Sequence, residues 1–114
     1  LAAKGKGSVQ IAPAVTKAIA YIDENYGDPS LCLSRISDLF HISESYFSFL
    51  FKKTVGVNFS TYLEQVRMTQ AKHLLETTNI KITDLYVAVG YNNLTSFRRA
   101  FKKKYGVAPN ALRE

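Results

Sequence analysis

Tryptophan is absent from this 114-residue chain, and cysteine and methionine occur once each. A single thiol, Cys32, cannot close an internal disulfide. With only His41 and His73 beside it, there is no Cys/His ladder of the kind that holds structural zinc, so no metal or other cofactor is expected. Three prolines and six glycines are too few for a disordered or fibrous chain, and 46% hydrophobic residues suffice for a packed core. No apolar run approaches the ~20 residues of a bilayer-spanning helix, and the start LAAKGKG lacks the hydrophobic stretch of a signal peptide. These absences predict a soluble, cytoplasmic protein with no membrane partner. The length holds one domain or two very small ones, not a large enzyme. No nucleophile, general base and orienting acid come together, and there is no glycine-rich phosphate loop, so the chain is not expected to be an enzyme.

Acidic side chains are also scarce, nine against fifteen basic, for a formal net charge of +6 and a pI near 9.5. The imbalance is local: residues 1–50 carry four basic and five acidic side chains, whereas residues 51–114 carry eleven and four. The bases cluster at Lys52-Lys53 and from Arg98 to Lys104. A field of that sign attracts polyanions. A solvated helix face explains scattered charge well and such clusters less well.

Helical periodicity organises most of the chain. Residues 1–12 are small, Gly-bearing and aperiodic, which predicts a linker or flexible N-terminal segment following something upstream. Pro13 suits a first helical position, and Val15, Ile19, Ile22 and Tyr26 share one face before Gly27 and Pro29. Leu33, Ile36, Leu39 and Phe40 mark a short second helix. Ser43 caps a third that turns Phe47, Leu50 and Phe51 inward and stops at Gly56. Asn58 caps a long fourth helix carrying Phe59, Tyr62, Leu63, Val66, Ala71, Leu74 and Leu75. Ile82, Leu85 and Val89 mark a fifth, ended by Gly90. Asn93 caps a sixth with Phe97, Ala100 and Phe101 inward, closed by Gly106, and Pro109 opens a last turn. No segment alternates with period two for long enough to be a strand. The expectation is an all-α fold of about seven helices.

An internal repeat divides it. Phe51-Lys52-Lys53 and Gly56-Val57 return as Phe101-Lys102-Lys103 and Gly106-Val107, displaced by 50 positions, and Phe47 returns as Phe97. Each copy is a short helix, a turn and a capped helix ending in lysines, which is a helix-turn-helix pattern; the second turn is one residue longer. The expected layout is a first subdomain over 13–57, a spacer helix over 58–77 and a second subdomain over 78–114. The spacer's helix, at about 18 residues and 1.5 Å per residue, is roughly 27 Å long.

The sequence resembles the AraC/XylS family of bacterial transcription regulators in its DNA-binding domain of two helix-turn-helix motifs. The resemblance runs from about Val15 to Arg113. It is carried by Ile42-Ser43-x-Ser45-Tyr46-Phe47-Ser48-x-x-Phe51-Lys52, by Tyr62-Leu63 with Arg67 and Ala71, and by Val89-Gly90-Tyr91-Asn92 through Phe97-x-Arg99-x-Phe101-Lys102 to Gly106-x-x-Pro109. Tyr86 stands where the family usually has Ala, Leu94 and Ser96 where Pro and Tyr are common, and Leu112 for a usual Tyr. The resemblance implies sequence-specific binding to a double-stranded DNA operator or promoter across two successive major grooves. It also implies RNA polymerase as a partner of the full-length regulator, an effector sensed by an upstream domain, and a place at the nucleoid.

Base edges are read by the outward face of a helix and phosphates by flanking cations. At ~100° per residue the outward positions are Ser45, Ser48 and Phe49 in the first motif and Thr95, Arg98 and Arg99 in the second, the positions to which the resemblance also assigns base contact. Arg99 can bridge guanine O6 and N7, or else hold a phosphate or a surface carboxylate. Phe49 is an aromatic ring turned away from the core; it touches a thymine methyl, covers a partner surface or bends back onto its neighbours. Lys52, Lys53, Lys102 and Lys103 sit late in their helices, where the axis leaves the groove floor, and are expected at phosphates. Ser43 and Asn93 cap helices and present N-termini to phosphates. Cys32 reads as a small, partly buried residue, His41 as part of a helix junction and Arg67 as a side chain bonding helix ends; His73 has no partner that would make it a catalytic base. The rival classes are an all-helical protein-interaction module without specific DNA binding and a basic domain for RNA or a membrane surface.

Overall fold

The computed structural model describes the backbone of residues 2–113 and the side chains of residues 13–113. Among the described residues there are seven helices and no strand: α1 (Ala2–Asn25), α2 (Leu33–Leu39), α3 (Glu44–Val55), α4 (Phe59–Thr77), α5 (Ile82–Ala88), α6 (Leu94–Tyr105) and α7 (Pro109–Arg113). The all-α expectation holds, and the elements follow the apolar periodicity. One boundary is corrected. Pro13 stands inside α1, not at its start, and the segment expected to be an aperiodic linker is backbone of the same helix. Pro13 removes a single ladder N–H, and the alanines, lysines and Gln10 around Gly5 and Gly7 favour helix, which the absence of an apolar stripe conceals.

The chain forms two compact units. The first holds the described residues up to Asn25 together with Ser30–Tyr62; the second holds Tyr26–Pro29 and the described residues from Leu63 onward. In the first, α3 packs on α1 and α2. Its buried residues include Val15, Ala18 and Ile22 of α1, Ile36 of α2, Phe47 and Phe51 of α3, and Phe59 at the start of α4. Phe47, Phe51 and Phe59 form a triangle of rings with centroids 5.8–6.3 Å apart. Burial of such a ring stabilises by about 1.5–3 kcal/mol, and removing one costs about 3–5 kcal/mol. One expectation fails here, and one apolar residue that marks α2 turns outward. Leu39, the last residue of α2, is 46% exposed, and its inward place is taken by Ser37, whose hydroxyl donates to the Leu33 carbonyl at 2.7 Å and so is buried without an orphaned polar atom. Cys32 is exposed, because it is the extended residue that precedes α2.

The second unit repeats the plan. Phe97, Ala100 and Phe101 of α6 close on Leu85 and Val89 and on Met68, Ala71 and Leu75 of α4. Tyr86 and Leu112, both departures from the family pattern, lie half-buried against this core. Tyr26, expected on the inner face of the first helix, falls beyond the end of α1, and its short segment belongs to the second unit. Arg67 holds it there: Nε donates to the Tyr26 carbonyl and Nη2 to the Asp28 carbonyl, both at 2.9 Å. This is the helix-end role expected of Arg67. Gly90 lies against the same clasp with φ +94°, and a Cβ there would stand 2.4 Å from the Tyr26 carbonyl oxygen and 2.8 Å from Arg67 Nε. Burial lowers the guanidinium's pKa, while the fields of Tyr91 and Asp28 act to raise it.

Candidate nucleic-acid interface

Each motif aims one helix by the same devices. In the first, four residues separate α2 from α3, and His41 carries the reversal with φ +56°. In the second, five residues separate α5 from α6, and Gly90 carries it. The extended residue before each reading helix then caps it: Ser43 Oγ accepts from the Tyr46 N–H at 3.2 Å, and Asn93 Oδ1 accepts from the Ser96 N–H at 2.8 Å. Gly56 at φ +98° and Gly106 at φ +79° end α3 and α6, each donating its N–H to the carbonyl of the residue four before, Lys52 and Lys102. Both helices have 12 residues and bury the same inward triad, Phe47-Leu50-Phe51 and Phe97-Ala100-Phe101.

With the inward face fixed, the outward one follows. On α3, Ser45, Phe49, Lys52 and Lys53 are exposed, and so is the cap Ser43. Ser48, expected among the exposed readers, is half-buried, because it follows Phe47 and stands on the flank of the helix. Phe49 is 60% exposed, with Lys53 Nζ 5.6 Å from its ring centroid. Ser48, Phe49, Lys52 and Lys53 line a shallow recess of about 300 Å³. On α6, Thr95, Arg98, Arg99, Lys102 and Lys103 are all exposed, as is the cap Asn93. Among the described residues no carboxylate pairs with Arg98, Arg99, Lys102 or Lys103, so their charge faces solvent. The lysines also lie at helix C-termini, where the helix dipole favours cations.

One outward residue is not singled out by the sequence pattern. Tyr46 is 54% exposed although it adjoins buried Phe47, and a helical rotation of ~100° from Phe47 is the signal that finds it. Lys104 extends the basic end of α6 and lies 5.6 Å from the Tyr105 ring centroid. Among the described residues no group of three or more His, Cys, Asp or Glu is placed to hold a metal ion, and no helix is long and apolar enough to cross a membrane.

Two helix-turn-helix units in one chain, each with a capped outward helix ending in exposed lysines, define a DNA-binding helix-turn-helix domain. A family model described as a helix-turn-helix domain matches residues 36–114, and the chain belongs to this family, in its AraC type. It is similar to the bifunctional transcriptional activator/DNA repair enzyme AdaA of Bacillus subtilis, 37% identical over 94 residues that cover 82% of this chain and 44% of that protein. It is also similar to the arabinose operon regulatory protein of Escherichia coli, 31% identical over 87% of this chain and 34% of that protein. Among solved structures, the C-terminal domain of AraT, a response regulator from Geobacillus stearothermophilus, superposes with a TM-score of 0.87 at 34% identity, covering 89% of this chain and 84% of that one. The chain spans less than half the length of the curated relatives named here, most of the matched relatives being transcription regulators.

Proposed function

We propose that this chain is the sequence-reading output module of a bacterial AraC-type regulator, without enzymatic activity of its own, acting on double-stranded operator or promoter DNA. One observation carries the reading: the same capped helix occurs twice, each copy burying one aromatic face and leaving the opposite face exposed, with lysines in its last turn. Ser45, Ser48, Phe49, Thr95, Arg98 and Arg99 contact bases, and Ser43, Lys52, Lys53, Asn93, Lys102 and Lys103 contact phosphates. The two motifs enter successive major grooves, so one chain covers a site that single-motif proteins read as dimers. The layout is two subdomains, 13–57 and 78–114, about a spacer at 58–77. Residues 1–12 join them to an upstream effector-sensing domain, and RNA polymerase is the further partner of the full-length regulator at the nucleoid. The DNA repair activity in AdaA's name belongs to a protein of which this chain matches less than half.

Selection of bound sites from a random duplex library tests this. The expected result is one enriched sequence, bound with an affinity that falls steeply with salt. Binding that ignores salt and enriches no sequence would overturn it and favour the second reading, a protein-docking module, which the 60% exposure of Phe49 and 57% exposure of Val87 would then serve.

A further inference from the structure

The two reading helices differ in chemistry more than in geometry. From Glu44 to Leu50, α3 has no arginine, lysine, asparagine or glutamine, the side chains that bond purine edges with two hydrogen bonds in the major groove. It offers instead two aromatic rings one turn apart, Tyr46 and Phe49, 54% and 60% exposed. Neither ring packs on another ring among the described residues, and both stay more than half exposed, with Lys53 Nζ over one face of Phe49. Lys53 lies against the Phe49 ring and Lys52 beside it, so the apolar surface is flanked by cations, as a surface that approaches a phosphate-lined groove requires. Glu44, in the first turn of α3, can only accept hydrogen bonds when ionised, and guanine offers only acceptors on its major-groove edge. In contrast, α6 has no acid in its first turn and exposes Arg98 and Arg99.

We infer that α3 selects its half of the DNA site through the methyl groups of thymine, contacted by Phe49 and Tyr46, while guanine is read by α6. This rests on the DNA-reading function proposed above. The thymine methyl is the apolar group on the major-groove floor, and the 300 Å³ recess beside Phe49 gives it a place to sit. The half-site of α3 is therefore rich in thymine, and its discrimination comes chiefly from carbon contact, the Ser45 and Ser48 hydroxyls bonding either base.

The experiment takes the duplex enriched from the random library and replaces its thymines one at a time by deoxyuridine, which removes the methyl and leaves every hydrogen-bonding group in place. Outside the guanines whose preference depends on Arg99, at least one replacement should weaken binding about fourfold, the value of one buried methyl-sized group. Phe49→Ser should abolish that thymine-over-uracil discrimination, and Phe49→Leu should keep it. Phe49 is solvent-exposed, so both variants fold, which a thermal melt verifies. An enriched site that tolerates every deoxyuridine, or discrimination unchanged in Phe49→Ser, overturns the inference and leaves the DNA-reading function standing. Failure to enrich any sequence overturns both.

Discussion

Replacing Gly90 by alanine tests the tightest part of the second unit. Gly90 has φ +94°, a region that costs an L side chain about 1–2 kcal/mol. The added Cβ would also stand 2.4 Å from the Tyr26 carbonyl oxygen and 2.8 Å from Arg67 Nε. One of these must move, and both belong to the bond that holds the segment after α1, at 2.9 Å. Loss of a hydrogen bond from a charged donor adds about 1.5–3 kcal/mol, for a total of about 2.5–5 kcal/mol. Gly106 supplies the control, since it lies in the same unit at φ +79° with no atom within 4 Å of its Cβ position. Gly106→Ala should cost only the backbone term, about 1–2 kcal/mol. Urea unfolding followed by circular dichroism measures both. At this chain length the difference corresponds to a fall in Tm of about 4 °C per kcal/mol. Arg67→Ala combined with Gly90→Ala should cost less than the two changes separately, because both break the same bond. Equal destabilisation by Gly90→Ala and Gly106→Ala, within about 0.5 kcal/mol, would refute the steric reasoning.

Lys52→Ala and Lys102→Ala should each weaken binding to all duplexes alike and lower the slope of log K against log salt by about 0.9 for each phosphate no longer neutralised; a changed sequence preference in either variant would show that the lysine reads bases. Arg99→Ala should cost about 1–3 kcal/mol on the selected site and much less on a copy with the contacted guanine replaced, measured by paired titrations. Its exposure means that the melting temperature should stay near that of the unaltered chain. Alkaline pH should destabilise the fold. Burial raises the phenol pKa of Tyr62, assisted by Asp23, and of Tyr91, where Glu64 adds to it and Arg67 opposes it; burial likewise raises that of Tyr105, with Thr69 opposing and Glu76 assisting. Groups with folded-state values above the unfolded one contribute stability that is complete below about pH 10, the unfolded value, and is lost as pH rises through the folded values. Urea midpoints from pH 8 to 11 should fall at the upper end, and Tyr105→Phe should flatten the decline while losing the hydroxyl's 3.1 Å bond to the Met68 carbonyl.

Periodicity and caps made most of the helical plan legible in the sequence. The inward triads of α3 and α6 recur at helical spacing, and Ser43, Asn58 and Asn93 stand where an oxygen must meet an orphaned N–H; all three accept such a bond. Local chemistry of this kind depends on a few neighbouring residues, so one sequence suffices to place it. The outward positions of Phe49, Arg98 and Arg99 follow from the same rotation, since fixing the buried face fixes its opposite. The passage of α1 through Pro13, the half-burial of Ser48 and the exposure of Leu39 escape that logic, because apolar spacing does not say how long a helix runs or how far its flank is covered. The clasp was least legible. Arg67 lies 41 positions from the carbonyl of Tyr26 that it binds, and Gly90 is constrained by both. The sequence by itself determined the helices, their caps and the two basic faces, because these arise from contacts within a turn or two of chain. Only the tertiary structure decided which distant backbone atoms a half-buried guanidinium must satisfy, because that depends on which segments are brought together once the apolar faces have closed.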